Sequence, residues 1–330
     1  MEEQIIVVKN LTKQYPSVQN AGVKNINFSI KRGNIVAIIG ESGSGKSTLL
    51  KCIYGLLKTD EGEILFNGKR IAGPDEQLIP GHKEMKMVTQ DFSLNIYAKV
   101  YDNIASMLSN TNVQRKHEKT MEMMQHLHIE HLKDKKITQL SGGEQQRVAI
   151  AKALVSDTAV LLLDEPFSQV DSLLKNQLRA DIRRIAAETG VTVIMVSHDP
   201  ADGLFLSDEL LIIREGQLLQ YGRPEYIYNH PDHIYTAQIL GNAVVLPYED
   251  AVKLGLEINE GHAVFYPEWV ELKSSPNSMQ YEVKDVYYKG FYEELLLERD
   301  GVKIRAIQLN RGVHKKSDHV QVNIGRFLIK

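Results

Sequence analysis

Residues 40–48 read Gly-Glu-Ser-Gly-Ser-Gly-Lys-Ser-Thr, and they limit what the rest of the chain can be. They fit G-x-x-x-x-G-K-[ST], a loop that wraps phosphate groups. Just before it, Ile35 to Ile39 is an apolar run that reads as a buried strand. Just after it, Leu49, Leu50 and Ile53 begin a helical pattern. A polyphosphate needs many donors close to its oxygens. Gly40, Gly43 and Gly45 carry no Cβ, so backbone N–H groups can turn in towards it. The helix N-terminus that follows adds its positive dipole end. Lys46 has the reach for terminal phosphates, and the Ser47 hydroxyl suits Mg²⁺. The expected ligands of Gly40, Glu41, Ser42, Gly43, Ser44, Gly45, Lys46, Ser47 and Thr48 are therefore a nucleoside triphosphate and Mg²⁺.

The flanks predict a mixed α/β unit. Ile5 to Val8 reads as a strand, and Ile26, Phe28 and Ile30 alternate with polar residues as in a half-buried strand. Ile64 and Phe66 alternate again before Asn67-Gly68, a hairpin signal. Tyr15, between the first two strands, offers a ring on which a nucleotide base could stack; loop tyrosines more often serve packing. Met85 to Thr89 reads as a further strand ending at Gln90. A more helical region follows to about residue 139, with Met121, Met124, His128 and Leu132 at helical spacing. His117, His126, His128 and His131 lack a convincing cysteine or carboxylate set, so they read as solvated rather than metal-binding.

Leu140 to Arg147 reads LSGGEQQR. Ser141 and Glu144 form a capping box that opens a helix. Gly142 and Gly143 are poor helix formers at its first positions. They make sense where another group must approach the backbone closely, and a bare helix start suits an anion. Val160 to Leu163 is an apolar strand ending in Asp164-Glu165. Adjacent acids at the end of a buried strand either cap the next element or do chemistry. A P-loop enzyme needs an acid for Mg²⁺, which fits Asp164, and a group to orient or deprotonate water, which fits Glu165. Leu174, Leu178, Ile182 and Ile185 predict an amphipathic helix closed by Gly190. Val191 to Val196 is another buried strand and ends at Ser197-His198. The carboxyl ends of such strands are where ligands bind.

Taken together, these motifs resemble the ATP-binding subunits of ABC transporters over roughly residues 4 to 240. GESGSGKST is similar to Walker A, LSGGEQQ to the ABC signature, and AVLLLDEP to Walker B with its catalytic glutamate. Ser168-Gln169-Val170-Asp171 resembles the D-loop, His198 the switch histidine, Gln90 the Q-loop glutamine that also faces Mg²⁺, and Tyr15 the adenine-stacking aromatic. The resemblance implies a head-to-tail dimer. Each ATP would lie between Gly40–Thr48 of one copy and Ser141, Gly142, Gly143 and Glu144 of the other, with Asp171 at the same interface. The second cassette is a copy of this chain or a homologue. Phe92 to Val100 departs from the usual pattern, which bears on the identity of the membrane partner.

From about residue 241 the character changes. Short strand-like runs recur, Asp300-Gly301 signals a hairpin, and a small all-β barrel is expected. Tyr266-Pro267-Glu268-Trp269-Val270 is similar to the R-P-E-x-[IV] motif of TOBE-type domains, with tyrosine replacing the arginine. The expected layout is a cassette at 1–240, with a helical subdomain at about 91–140, and a TOBE-like barrel at 241–330. That barrel serves regulation or stabilises a dimer. It also favours an importer, with transmembrane permease subunits and a solute-binding protein as partners. An exporter ATPase and a non-transport ABC ATPase are the alternatives.

Composition narrows the setting. The chain has 330 residues, 43% of them apolar, and a net charge of -3, so no bulk attraction to nucleic acid is expected. Its single cysteine, Cys52, predicts a buried apolar role and fits a reducing compartment. The acidic start predicts no signal peptide, and no apolar run reaches a membrane span. A cytoplasmic protein on the inner face of a membrane is expected.

Overall fold

A computed structural model describes residues 3–15, 21–275 and 278–330, and leaves the side chains of residues 172 and 173 undescribed. The chain divides into two compact units, Met1–Ile227 and Tyr228–Lys330. The first runs β1 (Gln4–Gln14), β2 (Gly22–Lys31), β3 (Ile35–Ile39), α1 (Lys46–Tyr54), β4 (Glu61–Phe66), β5 (Lys69–Arg70), β6 (Met85–Val88), α2 (Val100–Ala105), α3 (Val113–His126), α4 (Gly142–Leu154), β7 (Val160–Asp164), α5 (Ser172–Thr189), β8 (Thr192–Ser197), α6 (Pro200–Leu206), β9 (Glu209–Arg214) and β10 (Gln217–Gly222).

Two sheets sandwich α1. The larger has the order β10-β9-β3-β8-β7-β6. All its pairings are parallel except the β9–β10 hairpin at the edge. Its central strands are apolar on both faces because both are covered: every residue of β3 and β8 is buried. The smaller sheet, β2-β1-β4-β5, is antiparallel. Its strands alternate instead, with Ile26, Phe28 and Ile30 turned inward. Asn67 and Gly68 take φ of 48° and 74° and close the β4–β5 hairpin. Ile5, Phe28, Ile38, Leu49, Leu50, Ile53 and Leu162 meet in one core from both sheets and α1.

Register sets the site. Ile39 lies beside Ser197, and Leu163 beside Met195. The chain therefore leaves β3, β7 and β8 at one edge and delivers Gly40, Glu165 and His198 there. Two expectations of regular helix are corrected. The stripe Met121–Leu132 is not one helix: α3 stops at His126, and His128 takes a left-handed φ of 57°. That turn swings Ile129 and Leu132 into the core while His128 stays exposed. On α5, Leu178, Ile182 and Ile185 are buried as expected, but Leu174 is 40% exposed and sits beside Gly143. Gly190, with φ 70°, caps the helix.

The second unit is an antiparallel, nearly closed β-barrel. It comprises β11 (Val244–Pro247), β12 (His262–Phe265), β13 (Val270–Glu271), β14 (Met279–Tyr288), β15 (Glu293–Arg299), β16 (Val302–Gln308), β17 (His319–Ile324) and β18 (Leu328–Ile329). The sheets run β11-β12-β18 and β13-β17-β14-β15-β16. Val283, Leu295, Leu297, Ile304 and Val320 point into one core. Asp300 and Gly301, at φ 49° and 78°, form the β15–β16 turn. Trp269 is a packing residue here: its ring meets Tyr266 edge-on, and the Arg326 guanidinium lies 3.7 Å from its centroid. Among the described residues no helix is long and apolar enough to cross a membrane.

Candidate functional site

The loop between β3 and α1 is glycine-bound by geometry. Gly45 has φ 99°, and a Cβ there would lie 2.2 Å from the Gly22 carbonyl oxygen. A Cβ on Gly40 would lie 2.2 Å from the Ile213 carbonyl oxygen. No side chain fits either place without moving backbone. Inside the loop, Lys46 Nζ donates to the carbonyls of Gly40 and Glu41, both at 2.8 Å. Burial lowers the Lys46 pKa, and the nearby Glu165, Asp164 and Glu41 oppose that shift. Ser44 Oγ is buried without a hydrogen-bond partner. Glu41, Ser42 and Gly43 are exposed, and Ser47 and Thr48 are half-buried.

The acids come from the neighbouring strands. Ser47 Oγ donates to Asp164 Oδ1 at 2.9 Å, across 117 positions of sequence. Glu165 sits just past β7 with φ 51°, and its N–H donates to the Val196 carbonyl at 3.0 Å. This left-handed turn aims the carboxylate at His198, with Glu165 Oε2 3.1 Å from His198 Nδ1. Gln90 follows β6 and is exposed; its carbonyl accepts from Gln169 Nε2 at 3.4 Å. Tyr15 is half-buried, with Lys13 Nζ 5.9 Å from its ring centroid, and its N–H donates to Ala21. Residues 16–20 lie outside the described residues.

The LSGGEQQ segment opens α4 as a capping box. Ser141 N–H donates to Glu144 Oε2 at 2.7 Å, and Glu144 N–H to Ser141 Oγ at 3.3 Å. The two glycines have different settings. A Cβ on Gly142 would lie 3.1 Å from the Gln169 carbonyl oxygen, whereas Gly143 has room. Gly142 thus has a reason within its own chain: the D-loop backbone approaches it. Asp171 is exposed at the start of α5 and makes no side-chain cap bond.

The D-loop resemblance includes Gln169 but gives it no contact of its own; in the structure it meets both the Gln90 and Gly142 segments. The sequence reading passed over a charged cluster of Lys175, Arg179, Asp199 and Asp202 beside His198. Its only signal was spacing: two bases four apart on α5, and two acids three apart after Ser197. His117 and His126 have ordinary partners. His117 Nδ1 meets the Tyr101 hydroxyl at 3.1 Å, and His126 lies 3.2 Å from Glu188. Burial pushes the Cys52 thiol up to about 12, so it stays protonated at neutral pH.

The ABC transporter family profile matches residues 23–168. The "Spermidine/putrescine import ATP-binding protein PotA" of Desulfitobacterium hafniense (strain Y51) is 33% identical over 316 residues, covering 90% of this chain and 89% of that protein. The chain belongs to the ATP-binding subunits of ABC importers. The "Fe(3+) ions import ATP-binding protein FbpC 2" of Haemophilus influenzae (strain ATCC 51907 / DSM 11121 / KW20 / Rd) is 34% identical and covers 91% of this chain. The solved dimer of the ATP-binding cassette MJ0796, in a post-hydrolysis state bound to ADP and Pi, is 26% identical. It matches 67% of this chain and 99% of its own with a TM-score of 0.58. As an importer ATPase, the chain binds ATP and couples its hydrolysis to solute import. It is the ATP-binding subunit of a transporter that also has membrane subunits.

Proposed function

We propose that this importer ATPase hydrolyses Mg²⁺-bound ATP in a site shared between two cassettes. The observation that carries the proposal is the single edge where Lys46, the Ser47–Asp164 pair and the Glu165–His198 pair converge. Ser47 Oγ and Asp164 Oδ1 are hard oxygen donors of the kind Mg²⁺ takes, and the partnerless Ser44 Oγ fits a phosphate oxygen. When bound, Mg²⁺ neutralises phosphate charge.

This chain's own residues would do the rest. Lys46 exchanges its two carbonyl partners for phosphate oxygens, and the N–H groups of Gly40 to Thr48 line the polyphosphate. Tyr15 stacks on adenine, and Gln90 completes the Mg²⁺ site. Glu165 takes a proton from the attacking water, and His198 fixes the carboxylate and the γ-phosphate. The second cassette contributes Ser141, Gly142, Gly143, Glu144 and Asp171 over the same phosphate. That cassette is a second copy or a homologue, bound to transmembrane permease subunits on the cytoplasmic face and served by a solute-binding protein.

Relatives named for polyamines and for Fe(3+) match this chain at 33% and 34% identity. We therefore assign cargo selection to the partner subunits. For function the chain has two parts, a cassette to about residue 240 and a regulatory β-domain from 241. Deleting residues 241–330 should keep ATP binding and hydrolysis while changing how the rate responds to the assembled permease and cargo. A truncated chain that cannot bind ATP would reject this division; steady-state ATPase assays with and without the membrane subunits make the measurement.

A further inference from the structure

Behind the Glu165–His198 pair lies a balanced cluster of four charges that no step above uses. Asp202 is 1% exposed and Arg179 is 7% exposed. Arg179 Nε donates to Asp202 Oδ1 at 3.0 Å, and Nη2 donates to the same oxygen. Lys175 Nζ bridges Asp199 Oδ2 at 2.6 Å and Asp202 Oδ1 at 3.2 Å. The other Asp202 oxygen, Oδ2, accepts from Ser197 Oγ at 2.5 Å. Ser197 Oγ in turn accepts from the Asp199 N–H at 3.0 Å. His198 thus stands between two residues tied to one buried carboxylate. The Arg179 guanidinium also lies 5.5 Å from the ring centroid of Phe167, two residues past Glu165, and 5.7 Å from that of Phe205. Both halves of the catalytic pair are therefore braced against one turn of α5.

We propose that Asp202, acting through Ser197 and held by Arg179 and Lys175, is a positioning residue that aims His198 at Glu165 during hydrolysis. The proposal rests on the roles given above to His198 and Glu165. A buried ion cluster is a poor source of net stability, because desolvation offsets most of the attraction. It is well suited to fixing geometry, since the two Asp202 oxygens are held from different sides, Oδ1 by Arg179 and Lys175 and Oδ2 by Ser197. Misplacing a reacting group by about 1 Å costs on the order of 100-fold in rate.

Ser197→Ala is the sharpest test, because it removes the hydroxyl that ties Asp202 to the backbone on both sides of His198 and leaves all four charges paired. In the full-length chain, kcat for ATP should fall about 10-fold or more while KM for ATP stays within about twofold. In a His198→Ala background, single-turnover hydrolysis should show no further loss on adding Ser197→Ala. Asp202→Asn should give the same pattern, with its fold checked by the ADP-induced rise in Tm. Losses that multiply in the double variant, or wild-type kcat in Ser197→Ala, overturn the positioning role. Wild-type kcat in His198→Ala alone overturns the underlying catalytic assignment instead.

Discussion

Glu165→Gln lowers the steady-state ATPase rate by about 10²–10⁴-fold, the range a positioned general base supplies, while ATP still binds. The substitution removes the basic oxygen and little else. Glutamine is isosteric and can keep the left-handed turn at φ 51° and the N–H bond to Val196. Its amide can still meet His198 Nδ1, now 3.1 Å from Glu165 Oε2, once the imidazole takes the matching tautomer. With hydrolysis blocked, ATP stays between the cassettes and dimers accumulate. Sedimentation of the variant with ATP and Mg²⁺ should show a dimer that wild-type protein loses as it turns over. An unchanged turnover rate would take Glu165 out of the chemistry.

Lys46→Ala weakens ATP binding by about 10–100-fold, equivalent to losing roughly 1.5–3 kcal/mol of charge-assisted hydrogen bonding. Lys46 is 5% exposed, and its ammonium already has two carbonyl acceptors at 2.8 Å. Those contacts tether the side chain, so little ordering remains to be done when phosphate oxygens take their place. Burial lowers the Lys46 pKa, and Glu165, Asp164 and Glu41 oppose it; a triphosphate adds further negative charge that favours the ammonium form. A fluorescent-nucleotide titration measures the loss, and the ADP-induced rise in Tm should shrink with it. Wild-type affinity in Lys46→Ala would remove Lys46 from the phosphate site.

The parts legible in the sequence are those whose physics closes within a few residues. The positive-φ glycines 43 and 45, the Ser141–Glu144 capping box, the Asn67-Gly68 and Asp300-Gly301 turns and the period-2 alternation of β2 each express a local backbone or burial requirement. Where local pattern misled, packing had a competing demand. The helical spacing from Met121 to Leu132 breaks at His128, where a left-handed turn leaves His128 exposed and Ile129 and Leu132 buried. Leu174 continues the stripe of α5 in sequence, yet lies beside Gly143 and stays partly exposed.

By itself the sequence determined the phosphate loop, the mixed α/β character of the first part, the small β-domain and the residue types of the site, because each is written in adjacent or periodically spaced residues. Only the tertiary structure decided which distant groups meet: Ser47 with Asp164, Glu165 with His198, Gln169 with Gly142, and Asp202 with Arg179 and Ser197. These contacts depend on the strand order β3-β8-β7 and on α5 packing beside the His198 turn. Burial of the whole core selects that arrangement, and no short stretch of chain contains it.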